Sequence, residues 1–423
     1  MNFEKEYFPN DPESRQNETK KEREKKIVFP HAESALRLFR DKYKDEPEKA
    51  EILEEVYYEF FEQELENIEV FESEKLGAAF PWTKINTAKL FKKIIAKYSE
   101  KNNTPDSLIN EDKIKKQEFV FTSGSLMQSG YPFTFVEEAM HQIITALKID
   151  LVSWQEGKEI TAREIYTLGL PTNEFGKILP EFLEKLRQNP FDTMSELSTE
   201  FIESHISKEK TGLKVKFYGV STGASFAAAT GEKMIKNGIA TQDHDAPEEM
   251  PRLSIRMDSP VGLSKSTTKN WQIPLGYAME LIYQTVKDPK FRLADSGFMK
   301  QVKTELKKRG LAEKITDADK KMKKEAISVI IGKLKEGVDF SQDLKVTKVT
   351  GTLDPLIFSP KEYQAEKKRQ IETADGLGKN IAPRSEDNRR EFMMNTTHTP
   401  AFFRDSELKR CYETASLVKK LQR

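Results

Sequence analysis

Cysteine is almost missing from this chain of 423 residues: Cys411 stands alone, so no intrachain disulfide and no cysteine-based metal cluster can form. A single thiol fits a reducing compartment. Histidine is scarce as well, and His31, His141, His205, His244 and His398 are scattered with no pair at the spacing of a zinc site. The sequence therefore carries no metal-site signature. No apolar run approaches the roughly 20 residues that cross a bilayer, and the first segment, MNFEKEYFPNDPESRQNETKKEREKK, lacks the apolar stretch of a secretory signal. A cytoplasmic protein without a transmembrane segment is expected. Charge of one sign is lacking too: Lys plus Arg and Asp plus Glu both count 69, so no overall field draws the chain to nucleic acid or an anionic surface.

What is present is a strongly charged surface, at 33% charged residues, around an ordinary complement of 37% hydrophobic ones. Such a chain folds, and its length allows one large core with added segments or two domains. Residues 1–26 carry few large apolar groups and read as a flexible charged arm. Ile52, Val56, Phe60 and Phe61 recur at helical spacing, as do Leu90, Phe91, Ile94, Ile95 and Tyr98. On this basis residues 27–117 are expected to form a helical N-terminal extension.

From Glu118 onward short apolar runs alternate with amphipathic stretches, the form taken by strand-helix-strand units around a parallel sheet. Strands are predicted at 119–121, 149–154, 213–218, 253–257, 346–349 and 391–395. Helices are predicted at 135–147, from Asp192 or Thr193 to His205, and at 224–237 closed by Gly238. Residues 155–191, punctuated by Gly, Pro and Asn, read as an irregular insertion. A block at 263–344, too long for a loop, holds predicted helices at 274–286, 298–308 and 316–334 with lysine-rich outer faces. Ser359-Pro360-Lys361-Glu362 is a capping box that starts a later helix.

The chemistry-bearing pattern is Gly219-Val220-Ser221-Thr222-Gly223, set between the strand 213–218 and a helix opened by Ala224-Ser225-Phe226-Ala227. In a G-x-S-x-G turn the chain reverses so sharply from strand to helix that side chains at the glycines would clash, and the serine Oγ stands above the sheet. This setting resembles the nucleophile turn of the α/β-hydrolase superfamily. The resemblance covers roughly Glu118 to Gly262 and Lys345 to the C-terminus. It implies a three-layer α/β sandwich with a mostly parallel sheet: a core at 118–262 and 345–423, and a helical cap at 263–344.

In that family the nucleophile follows the fifth strand, the acid usually the seventh and the histidine the eighth, so the chain order is Ser, acid, His. Here Ser221 is followed by Asp354, in Gly351-Thr352-Leu353-Asp354, and then by His398. The resemblance implies that Ser221 is the nucleophile, His398 its general base and Asp354 the acid orienting the imidazole. Asp258, at the end of the preceding strand, is the alternative acid. The oxyanion would be held by the N–H of Thr222 and by one at Ser125 or Leu126 after the 119–121 strand. The chain departs from the usual pattern in carrying Ser123-Gly124 where His-Gly is common, and Thr397 before the histidine.

These readings point to a serine hydrolase acting on an ester or thioester, or an amide, through an acyl-enzyme, with a small-molecule acyl substrate and no cofactor. Acyl transfer to an alcohol uses the same residues. A non-catalytic interaction protein that retains the fold is the alternative from another class.

Overall fold

The computed structural model describes residues 69–86, 114–123, 160–173, 176–205, 213–243, 245–258, 260–262, 317–341, 343–351, 381–386 and 389–394. In chain order the strands are β1 (Glu69–Ser73), β2 (Ala78–Asn86), β3 (Ile114–Ser123), β4 (Ile160–Leu168), β5 (Lys177–Ile178), β6 (Lys214–Val220), β7 (Arg252–Asp258), β8 (Val346–Gly351), β9 (Ile381–Glu386) and β10 (Arg389–Met394). They form one 10-stranded sheet in the order β1-β2-β4-β3-β6-β7-β8-β10-β9, with β5 paired to β2. From β4 to β10 neighbouring strands run parallel, whereas β2 is antiparallel to both its long neighbours and β9 is antiparallel to β10. The described helices are α1 (Pro180–Gln188), α2 (Pro190–His205), α3 (Thr222–Lys236) and α4 (Asp317–Glu336).

Alternation sorts the central strands into two faces. Phe119 and Phe121 of β3 lie level with Val215 and Phe217 of β6, and Leu253, Ile255 and Met257 of β7 continue the row. All are buried on the side covered by α2 and α3. Phe80, Trp82, Phe121, Tyr166 and Phe201 join there in an aromatic cluster with centroids 5.0–6.4 Å apart. The opposite face is buried as well but polar. It presents Thr83, Arg163, Thr167, Tyr218 and Arg256, with the Arg256 guanidinium 5.4 Å from the Tyr218 ring centre.

Four expectations are corrected. Residues 69–86, read as part of a helical extension, form β1 and β2 joined by a tight turn at Gly77, whose φ of 73° suits glycine. Residues 155–191, read as irregular, hold β4, β5 and α1. The charges of β4 hide its strand character, yet they are matched across the sheet: Arg163 lies opposite Glu118 with an ion pair of 3.5 Å, and Glu164 meets Lys84 at 2.9 Å. Pro180, read as punctuation, is the first residue of α1, where proline costs nothing because that N–H has no helical partner. Finally, α2 begins at Pro190, and its cap is Asn189 rather than Asp192 or Thr193: the Asp192 N–H donates to Asn189 Oδ1 at 3.2 Å.

The predicted segments at 213–218, 224–237, 253–257, 316–334, 346–349 and 391–395 correspond to β6, α3, β7, α4, β8 and β10. Strand β9 has no counterpart among the predicted segments; its Pro383 is tolerated because β9 lies on the sheet edge. The flexible arm at 1–26, the helical spacings around 52–61 and 90–98, the helix at 135–147, the strand at 149–154 and the first two helices of the 263–344 block lie outside the described residues. So does the helix that starts at Ser359.

The described part of that block runs from Asp317 and is mostly α4, which packs on α1, α2 and β5. Ala326, Ile330 and Leu334 form its buried stripe. Lys323 Nζ donates to the Asn173 carbonyl, in the loop leaving β4, at 2.7 Å, and the other end meets Gly262 in the loop leaving β7. Helix α4 thus spans from one loop at the carboxyl edge of the sheet to another.

Candidate active site

The strand β6 runs Lys-Val-Lys-Phe-Tyr-Gly-Val and ends at the carboxyl edge of the sheet, where the chain turns straight into α3. Ser221 makes the turn with φ 58° and ψ −124°. Among the described residues it is the one non-glycine residue with positive φ. Such a conformation costs a residue with a Cβ on the order of 1–3 kcal/mol and persists only where the surroundings hold it. Gly219 shows how tight the surroundings are: a Cβ there would lie 2.2 Å from the Gly223 oxygen and 2.6 Å from the Ala224 nitrogen. The strand end and the helix start pass so closely that only glycine fits. The Ala224 N–H donates to the Ser221 carbonyl at 3.1 Å, closing the first turn.

Ser221 is 6% exposed, so its surroundings are largely dry. Thr222 opens α3, and amides in a helix's first turn have no partner further back along the helix. No acidic side chain occupies that turn. The positive end of the helix thus meets no carboxylate from its own first turn, which favours negative charge placed against it.

Neighbouring strands end at the same edge. Ser123, the last residue of β3, is level with Gly219. Asp258 ends β7 level with Val220 of β6 and Val349 of β8. Asp354 follows three positions after Gly351, the end of β8, and His398 four positions after Met394, the end of β10. Ser125, Leu126, Asp354 and His398 themselves lie outside the described residues.

His205, by contrast, is a structural group. It closes α2 with its ring 4.0 Å from that of Phe201 and 4.8 Å from that of Trp82, and Nδ1 lies 2.7 Å from the Phe201 carbonyl, to which it donates. Among the described residues no cluster of His, Cys, Asp or Glu is arranged to hold a metal ion. No helix among them is long and apolar enough to cross a membrane.

Leaving aside the two-residue β5 and the edge strand β9, eight strands remain, and Ser221 follows the fifth of them. This is an α/β-hydrolase fold. No protein-family model and no curated protein matches the chain. Solved structures align with it at low identity. One is the thioesterase domain from the curacin biosynthetic pathway, at 9% identity over 83% of this chain and 98% of that one, with a TM-score of 0.32. Another is YbtT, a type II thioesterase of the yersiniabactin pathway, at 11% over 72% and 92%, TM-score 0.31. The prodiginine-pathway thioesterase RedJ of Streptomyces coelicolor aligns at 13% over 72% and 91%, TM-score 0.31. At such values no residue role passes from those chains to this α/β-hydrolase fold.

Two long-range contacts tie α3 and α4 to the loop leaving β7. Ser225 is fully buried in the first turns of α3 and donates through Oγ to the Val261 carbonyl, 36 residues away. Gly262, whose φ is 80°, lies against the backbone of Leu334. No local signal marks either contact, because each partner is remote in sequence.

Proposed function

We propose that this protein is a serine hydrolase that cleaves an ester or thioester through an acyl-enzyme on Ser221. What carries the reading is the backbone of Ser221: a serine, not a glycine, occupies the strained position between β6 and α3. Glycine would take that conformation freely, so the side chain is what the turn retains.

A serine hydroxyl is a weak nucleophile near neutral pH and needs a base as it attacks. His398 serves as that base, taking the hydroxyl proton and returning it to the leaving group. Asp354, or Asp258 at the end of β7, orients the imidazole and stabilises its cation. The tetrahedral oxyanion is held by the Thr222 N–H at the positive end of α3 and by an N–H at Ser125 or Leu126. Water then repeats the attack on the acyl-enzyme and frees Ser221. No step calls for a cofactor.

The test is labelling of the full chain with a fluorophosphonate probe, followed by peptide mapping. The expected adduct lies on Ser221 and is lost in Ser221→Ala. An adduct on another serine, or none at all, would reject the assignment.

A further inference from the structure

A serine inside a helix can turn its hydroxyl back to the carbonyl four residues earlier. Ser195 of α2 does so, donating to Phe191 O at 2.6 Å. Ser225 of α3 has the same option, and its carbonyl four residues back belongs to Ser221. It declines that bond and reaches instead to Val261, in the loop leaving β7. The loop is held from its other side as well. The Val338 N–H, just past α4, donates to the Gly262 carbonyl at 2.7 Å. A Cβ on Gly262 would lie 2.5 Å from Leu334 Cδ2 and 3.1 Å from Leu334 Cα. Pro260 is buried between these contacts.

Residues 260–262 are thus gripped by the nucleophile helix on one side and by the end of α4 on the other. Because Asp258 is level with Val220, this loop emerges next to the Ser221 turn. We infer that Ser225 is a positioning residue, locking the Ser221 turn to the β7 loop and through Gly262 to α4, so that the three shift as one body. This rests on the reading of Ser221 as the nucleophile. Its consequence is kinetic: a loosened turn misplaces Oγ relative to its base and oxyanion donors, which lowers turnover more than binding.

The experiment compares wild type, Ser225→Ala, Gly262→Ala and the double variant in three readouts: kcat and KM for a p-nitrophenyl ester, the rate of fluorophosphonate labelling, and amide exchange at 222–225 and 261–262. For Ser225→Ala we expect kcat and labelling to fall about tenfold with KM within about twofold. Exchange in both segments should rise together by about fivefold or more. Gly262→Ala should give the same pattern from the other side, and the double variant should be no worse than the worse single, as for residues acting as a unit. Wild-type kcat in Ser225→Ala, multiplying losses in the double variant, or faster exchange confined to 222–225 would overturn the inference. A wild-type chain that neither labels nor hydrolyses would sink the nucleophile reading alone, and the exchange measurement would still decide the coupling.

Discussion

The two ends of α3 solve the same problem in opposite ways. At its C-terminal end the chain leaves through Gly238, whose φ of 67° is free for glycine and around which a Cβ would meet nothing within 4 Å. The Gly238 N–H donates to Ile235 O at 3.0 Å and the Ile239 N–H to Met234 O at 2.9 Å, so carbonyls of the last turn are satisfied beyond the helix. Lys233 and Lys236 sit in the last turn, where cations suit the helix dipole. Every choice there relaxes the backbone. At the N-terminal end a positive φ falls to Ser221, no side chain caps the helix, and Gly219 is pressed against the Gly223 carbonyl. Strain is removed where it has no use and kept where a hydroxyl is displayed.

Substitutions at the two ends should therefore behave differently. The largest effect is expected for Gly219→Ala, because its Cβ meets backbone that cannot rotate away. A loss of about 3 kcal/mol in denaturant unfolding should accompany loss of fluorophosphonate labelling. Near-native stability would show that the turn is looser than described. Gly238→Ala should cost only about 1 kcal/mol, the penalty of a side chain in the left-handed region, and should leave labelling unchanged. Lost labelling there would erase the distinction between the ends.

The smallest effect is expected far from both, at Tyr166. Burial, reinforced by the neighbouring Glu164 that accepts its hydroxyl at 2.9 Å, raises its pKa above the usual tyrosine value. The unfolded chain then loses this proton at lower pH than the folded one. Tyr166 contributes stability that is complete below about pH 10 and declines as pH rises further. Tyr166→Phe should lose about 0.5–1 kcal/mol at pH 7 and show a flatter alkaline limb in Tm. An unchanged alkaline limb would mean that another group governs it.

The comparison also shows which parts of the molecule the sequence discloses. Ser221 and α3 are legible because their cause is local: closely spaced glycines, a serine between them and a run of small residues. Strand β4 is not, since Arg163 and Glu164 look solvent-bound until Glu118 and Lys84 arrive from other strands to meet them. Pro180 misleads because a proline that breaks a helix and one that begins it are the same residue, separated only by where the next apolar positions fall. Strands β1 and β2 are obscured by a hairpin set between stretches of helical periodicity. The grip of Ser225 on Val261 is invisible in principle, as it joins two segments that only the completed sheet brings together.

The central claim is that strain at residue 221 is kept for the sake of the serine side chain, and Ser221→Gly tests it most directly by removing side chain and strain together. Ester hydrolysis and fluorophosphonate labelling should fall by on the order of 10⁴-fold while Tm is at least that of wild type, since relief of strain offsets the entropy that glycine adds to the unfolded chain. A variant that still hydrolyses esters at the wild-type rate, or one whose Tm drops by several degrees, would contradict the account.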